Sequence, residues 1–446
     1  MRILICLHQY FPDFGTGTEV LVLRVVRGLV ASRQCVGIFT GHPTNQPVPA
    51  GRELNEIVYE DVPVFQYLTH EGPSAPLRHD TIARQIDNDA SAAAFERVVL
   101  EFKPDVVHFF HLARITTAPI AVCLRRKIPY FVTLTDFWFS CSTGLLELED
   151  GHACPGPSTY AENCLRHLTW IRFPRLRRFS PFIDVAAQVT TSLAKCDTFK
   201  RWPVIRVASD LSLRARTIAT RINGAKVIWT ASCDANDLCA EWGLDVRRLR
   251  VLRYPVEKPT ADDCVRHRRA NTPLRLGYIG TVSPHKGLHV LCSAIQADPR
   301  LTVELRVFGD LTRYPEYSQA VLDEARGDGR IAFDGTFPPD AIHRVIDSFD
   351  ALVIPSLWRE NSPMVAIEAL ARNCPVVASS QPGLSAVVRD GVDGILFPPG
   401  DHAALTEVLS RLCADPALLV RLSSNASWKI SAEVYVDTVM KAYLNR

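Results

Sequence analysis

The feature that most limits the fold is an alternation that runs through the chain twice. Short apolar runs with the length of buried strands are separated by glycine-bearing loops and longer stretches of helical period. RILICL (2–7) leads into the loop HQYFPDFGTGT (8–18), the amphipathic stretch TEVLVLRVVRGLVAS (18–32) and the next apolar run, CVGIFTG (35–41). A strand, a helix and a second buried strand in that order call for a crossover connection and a parallel sheet covered on both faces. AAAFERVVLEF (92–102), DVVHFF (105–110), ITTAPIAVCLRRK (115–127) and YFVTLTD (130–136) continue as helix, strand, helix and strand. VAAQVTTS (185–192) and KVIWTAS (226–232) read as strands, and LRVLRYPVE (249–257) ends the first series.

The second series starts at the strand LRLGYIG (274–280), followed by the helix HKGLHVLCSAIQA (285–297). VELRVFG (303–309), IAFDGTF (331–337), DALVIPS (350–356) and PVVASS (375–380) are its further strands, and HAALTEVLSRLCA (402–414) is a helix. Two series predict two domains: residues 1–257, with an irregular Cys- and Arg-rich insert at about 137–185, and residues 274–430. Between them, KPTADDCVRHRRANTP (258–273) is polar, charged and bounded by prolines, as a linker would be. A length of 446 residues gives each domain enough chain for its own core. A net charge of +2 offers no overall bias toward nucleic acid, which is not an expected partner. The apolar core of MRILICLHQYFP is too short for a signal peptide, and no apolar run is long enough to span a membrane. Thirteen scattered cysteines without an export signal predict reduced thiols and a cytoplasmic location.

RENSPMVAIEAL (359–370) carries two glutamates, Glu360 and Glu368, with seven residues between them. The strand DALVIPS precedes it. Ser362 suits a helix N-cap and Pro363 the first helical position, so Glu360 falls in a loop and Glu368 two turns into a helix. The neighbours of Glu368 are apolar, and a carboxylate in a buried helix needs partners. The first amides of that helix point into the loop, at the end of a parallel sheet where ligands bind. GYIGTVSPHKGLHVL (277–291) makes a related site. A loop after Gly280 enters a helix near Lys286, and an ammonium beside free helix amides suits a phosphate. The spacing is not that of a P-loop. Gly15, Thr16 and Gly17 form a similar loop in the first domain.

Taken together these stretches resemble the retaining glycosyltransferases of family 4. GTVSPHKG (280–287), RVFGD (306–310), ENSPMVAIEA (360–369) and CPVVASSQPGLSAVVRDGVDGILFPPGD (374–401) resemble, in order, that family's phosphate loop, next strand, paired-glutamate motif and closing strands. HQYFPDFGTGTEVLVLRVVRGL (8–29) is similar to its opening loop and helix, and YVDTVMKAY (435–443) to its closing helix. The resemblance implies an α/β fold of two doubly wound Rossmann-like domains facing across a cleft, the GT-B arrangement, with residues 431–446 packing back toward the first domain. It implies a nucleoside diphosphate sugar as donor, a glycan or lipid-linked saccharide as acceptor, retention at the anomeric carbon, and no required metal or other cofactor. Glu368 would bind the ribose hydroxyls and Glu360 the donor sugar. Backbone around Gly280, Thr281, Asn361, Ser362, Pro363 and Met364 would hold sugar and pyrophosphate. Lys286 would neutralise the leaving diphosphate, which Gly15, Thr16 and Gly17 would approach from the other domain. Fixed positive groups that bind the departing diphosphate more tightly as its charge grows would speed the reaction.

The chain departs from the family pattern at three places. Thr281 stands where an arginine is usual, Thr135 where a histidine is usual, and Ala386 follows Ser385 where an acid is usual. Asp136 is the nearest polar substitute for the missing histidine and joins Glu360 and Lys286 as a catalytic candidate. His108 and His111, at the end of DVVHFF, are candidates for structural or functional roles alike. These departures keep two rivals in view: a sugar-nucleotide epimerase on the same frame, and a non-catalytic nucleotide-sugar-binding protein. Cys141, Cys154, Cys164 and His167 offer the ligands of a structural zinc site or plain thiols, and their spacing leaves both open. RHLTWIRFPRLRRFSPF (166–182) mixes five arginines with aromatics, a composition that suits peripheral contact with an anionic membrane on its cytoplasmic face, that could bind RNA, and that a solvated loop or an interdomain contact carries equally well.

Overall fold

The structure, a computed structural model, describes residues 1–49, 51–69, 81–148, 153–173, 175–176, 180–257 and 272–445. All of the expected linker except Thr272 and Pro273 lies outside them. The chain divides into two compact units, Met1–Leu252 with Val436–Arg446, and Arg253–Tyr435. The division falls at Leu252, earlier than the 257 read from the sequence, because Tyr254 is bonded into the second unit. Its hydroxyl accepts from Asn361 Nδ2 at 3.1 Å, and its carbonyl accepts from Trp428 Nε1 at 2.9 Å.

The first unit holds β1 (Arg2–Leu7), β2 (Cys35–Pro43), β3 (Leu54–Tyr59), β4 (Val62–Thr69), β5 (Val106–Phe109), β6 (Tyr130–Thr133), β7 (Ile228–Thr230) and β8 (Leu249–Val251). They form one sheet in the order β3-β4-β2-β1-β5-β6-β7-β8. Every neighbouring pair is parallel except β3–β4. That edge hairpin is absent from the sequence reading. Its two-residue turn, Glu60–Asp61, has φ of 48° and 61°, a turn conformation that favours Asn-Gly or Asp-Gly, and the sequence carries neither signal there.

The stretch 185–192, read as a strand, is instead part of the helix Ser180–Leu193. Ala187, Thr191 and Ala194 are buried at intervals of four and three residues, a helical period and not the alternation of a strand. Much of the supposedly irregular insert is helical too, through Glu162–Arg172 and the start of Ser180–Leu193. The helix Ala432–Leu444 returns to the first unit, where the Tyr443 hydroxyl lies 2.6 Å from Nδ1 of the buried His108.

The second unit holds β9 (Leu274–Ile279), β10 (Val303–Phe308), β11 (Ile331–Gly335), β12 (Ala351–Ile354), β13 (Val376–Ser379) and β14 (Gly394–Phe397), ordered β11-β10-β9-β12-β13-β14 and parallel throughout. Leu276, Val307, Val353 and Val377 of its strands share one buried cluster with Leu288, Leu291, Leu405 and Leu409 of its helices. Strand order reverses between β1 and β5 in one unit and between β9 and β12 in the other. At such a point neighbouring connections leave to opposite faces and open a crevice at the carboxyl ends of the strands. Among the described residues, no helix is long and apolar enough to cross a membrane.

Candidate functional site

Two loops meet at the crevice of the second unit, one leaving β9 and one leaving β12. The β9 loop passes through a 3₁₀ turn, Pro284–Lys286, before the helix Leu288–Ala297. Lys286 therefore precedes the helix and does not begin it. Gly287, with φ of 70°, ends the turn in the left-handed region, where a side chain is strained. A Cβ on Gly287 would also lie 2.0 Å from the Pro355 carbonyl oxygen, so glycine lets the turn pack directly on the exit of β12. The Leu357 amide donates to the His285 carbonyl at 2.9 Å and joins the loops.

This stitching brings Lys286 Nζ to 2.6 Å from Glu360 Oε1. The same oxygen accepts from Ser356 Oγ at 2.7 Å and Trp358 Nε1 at 2.8 Å. Glu360 is only 5 % exposed. Burial pushes its carboxyl up, but the Lys286 charge and the three hydrogen bonds more than offset this and hold it below the ordinary glutamate range. From behind, Gln381 Nε2 donates to the Leu357 carbonyl at 2.7 Å. Gly383 packs so close that a Cβ there would lie 2.0 Å from the Glu360 carbonyl oxygen. Burial, and then the Lys286 charge, push His285 down to about 4, so a neutral imidazole packs edge-on to Trp358 with ring centroids 5.2 Å apart.

The helix after this loop is Met364–Ala371, one residue later than expected, with Pro363 and not Ser362 at its N-cap. Its amides at Met364 and Val365 come before the first helical bond, which Ala366 donates to the Pro363 carbonyl at 3.1 Å. Glu368 is 2 % exposed, and its Oε2 lies 3.2 Å from Nε2 of His343. At the β9 exit, the Gly280 amide donates to the Phe308 carbonyl at 3.0 Å, and the Thr281 carbonyl accepts from Tyr278 Oη at 3.0 Å. Those backbone groups are engaged in holding the loop. Ser356, Trp358 and His343 were not singled out by the sequence reading. The first two carry a detectable signal, since they stand four and two residues before Glu360 in a short loop.

The crevice of the first unit is built differently. Thr16 caps the helix Gly17–Ala31, and its amide and hydroxyl donate to Glu19 Oε2 at 2.7 and 2.5 Å. The Thr16 amide, expected to face a phosphate, is thus occupied by a buried carboxylate, and Glu19 Oε1 also lies 3.4 Å from His8 Nε2. The ring of His8 packs on His111 with centroids 3.8 Å apart. His111 Nδ1 accepts the Ala113 amide at 3.2 Å, so its Nε2 carries the proton donated to Asp136 Oδ2 at 2.6 Å. Asp136 Oδ1 accepts the Trp138 amide at 3.1 Å. Thr135, in place of the usual histidine, donates its hydroxyl to the Phe110 carbonyl at 2.9 Å and ties together the ends of β5 and β6. The imidazole beside Asp136 comes from His111 on the neighbouring strand exit. His108 is structural: it is wholly buried between Tyr443 and Thr133 Oγ1, and burial lowers its pKa to about 3.

Among the described residues, no group of three or more His, Cys, Asp or Glu side chains is placed to hold a metal ion. Cys141, Cys154 and Cys164 are nevertheless neighbours. Burial pushes the Cys164 thiol up to about 12, and the other two thiols add to the shift.

Residues 273–415 match the family of glycosyl transferases group 1. Over 233 residues the chain is 30 % identical to a D-inositol 3-phosphate glycosyltransferase of Streptomyces bingchenggensis, an alignment covering 47 % of this chain and 51 % of that relative. Over 147 residues it is 33 % identical to a lipopolysaccharide 1,2-N-acetylglucosaminetransferase of Salmonella typhimurium, covering 31 % of this chain and 39 % of the relative. The chain thus spans about half the length, or less, of these curated relatives. Its structure is similar to that of Anabaena HepE in complex with UDP and glucose, with a TM-score of 0.63 at 15 % identity, covering 100 % of this chain and 99 % of the other. That similarity agrees with a fold of two Rossmann-like α/β units.

Proposed function

We propose, for a chain whose second unit carries a glycosyl transferases group 1 domain, that it is a retaining glycosyltransferase. It moves a sugar from a nucleoside diphosphate sugar to an acceptor hydroxyl in the synthesis of a cell-surface polysaccharide or glycolipid. The observation that carries this reading is the Lys286–Glu360 pair, a cation and a carboxylate at 2.6 Å in the switch-point crevice, four residues before the helix that opens at Met364.

In this reading the diphosphate lies against Lys286 and the first amides of that helix, Glu368 receives the ribose hydroxyls, and Glu360 receives hydroxyls of the sugar. As the bond from the anomeric carbon to the phosphate oxygen breaks, charge grows on the diphosphate. Groups already aimed at it stabilise that state without reorganising. Lys286 then exchanges a carboxylate partner for a phosphate, while Ser356 and Trp358 keep Glu360 hydrogen-bonded. In the first unit Asp136, fixed by His111 and the Trp138 amide, is the carboxylate that accepts a hydrogen bond from the acceptor hydroxyl. Residues of this chain supply the charge stabilisation, so the reading requires no metal. The acceptor is a glycan or a lipid-linked saccharide, met on the cytoplasmic face of a membrane.

The test is calorimetry of UDP, GDP, ADP and their sugar conjugates on the wild-type protein and on Glu368→Ala. UDP is the first choice, since the HepE structure contains it. One nucleotide is expected to bind, and the variant to weaken it by about 10- to 100-fold, the loss of hydrogen bonds to a charged group. Folded wild-type protein that binds none of them would sink the reading. The anomeric configuration of the product, read by NMR, tests retention.

A further inference from the structure

We infer that the helix Ser180–Leu193 is a docking face for an anionic lipid bilayer. Its amphipathicity is inverted. The side turned inward carries small residues, Ala187 and Thr191, continued by Ala194 just past its end, all buried, and the two alanines share a cluster with Leu165, Leu168 and Leu211 of neighbouring helices. The side turned outward carries Phe182, Val185, Val189 and Leu193, which are 76, 60, 52 and 36 % exposed. At about 100° per residue these four fall on one stripe, opposite the buried three. A helix whose only neighbour was its own domain would bury the large residues and expose the small ones. The one charged residue of the helix, Asp184, is held aside by Arg166 Nη1 at 3.1 Å. Ile171 and Phe173, at the end of the preceding helix, are exposed as well.

Charge selects the occupant. Among the described residues from 162 to 206 there are seven Lys and Arg against three Asp and Glu. Arg172, Arg175, Lys195, Arg201 and Arg206 are all exposed. A second copy of this chain would bring those cations against their own counterparts, whereas an anionic headgroup layer attracts them. Fourteen residues make a helix of about 21 Å, too short to cross a hydrocarbon core of about 30 Å. The helix would therefore lie in the interfacial plane, with its stripe facing the acyl chains and its flanking cations among the headgroups. Lys286 and Glu360 belong to the other unit, so this inference and the donor-site reading fail independently.

The experiment is co-sedimentation of the full chain with phosphatidylglycerol–phosphatidylcholine vesicles and with phosphatidylcholine alone. Two variants accompany the wild type, Val185→Glu/Val189→Glu and Arg172→Glu/Lys195→Glu. All four positions are exposed, and an unchanged melting temperature and nucleotide affinity certify that each variant is folded. Partition into the anionic vesicles is expected to exceed that into neutral ones by at least about tenfold and to fall by at least about tenfold in either variant. Emission from Phe182→Trp should shift to the blue on the anionic vesicles. Equal partition into both vesicles, no partition, or full binding by Val185→Glu/Val189→Glu would each overturn the inference. So would light scattering that showed a dimer which the valine variant dissociates, because the face would then belong to a second copy.

Discussion

Both units use one architecture, a sheet with parallel central strands whose order reverses at a crevice, yet they fill the crevice with different chemistry. In the second unit the loops present an ammonium, Lys286, paired with Glu360, and the helix after β12 opens at Met364. In the first, the Thr16 amide before the helix that follows β1 is taken by the unit's own carboxylate, Glu19, and the strand exits present His111 and Asp136. In the reading proposed above, one crevice takes the ligand that carries negative charge and the other takes a ligand with hydroxyl groups. The fold alone decides neither. The difference lies in the side chains that the strand exits carry, a lysine held by Glu360 in one unit and a histidine held by Asp136 in the other.

Removing the cation is the strongest way to break this contrast. Lys286→Ala is expected to lower kcat by about 10²–10³-fold, the effect of deleting one donor to a developing anion. It also leaves Glu360 buried without its counter-charge, so thermal unfolding should show a loss of about 3–5 kcal/mol. A variant with wild-type turnover would remove the loop from the chemistry. Asp136→Asn comes next and sharpens the division of labour. Turnover should drop by about 10²-fold while nucleotide affinity, measured by calorimetry, stays as in wild type. If affinity falls in step with turnover, the two crevices do not have separate tasks.

The third test concerns stability in the first unit. His108 is held neutral with a pKa of about 3, against about 6.5 in an unfolded chain. The unfolded state therefore binds more protons between those values. The stability from burying a neutral imidazole is complete above pH of about 6.5 and is lost at about 1.4 kcal/mol per pH unit below it, until the folded pKa is passed. His108→Gln should lose that acid sensitivity, which urea midpoints at neutral and mildly acidic pH would show. An identical acid slope in the variant would assign the sensitivity to other groups. The smallest effect belongs to Glu19→Ala, which opens the capping box and should cost on the order of 1 kcal/mol by the same denaturation assay.

Much of this molecule is legible in its amino-acid order, and the illegible parts share a cause. Buried parallel strands such as RILICL and DALVIPS announce themselves, because both faces are covered and the run is apolar throughout. The loops that follow them bear Lys286 and Glu360, whose residue types report the chemistry locally. What escapes are contacts decided by which strands become neighbours. His111 and Asp136 stand 25 residues apart and meet only because β5 and β6 are adjacent. His343 reaches Glu368 in the same way, from another helix. The edge strand β3 escapes because half its residues face solvent and its turn lacks a glycine. The helix Ser180–Leu193 escapes because its exposed stripe is the apolar one, so the usual rule for reading a helical face points the wrong way.

The bond between His108 and Tyr443 spans 335 residues. It joins an interior strand of the first unit to the end of a helix, Val436 onward, that is made after the second unit. During synthesis the first unit must therefore wait, nearly complete, with the face around His108 and Phe131 uncovered, while the second has all its strands and can close first. The unit that comes first in the chain is then the last to finish folding. A nascent chain stalled before its final helix would show protease resistance over the second unit and sensitivity over the first.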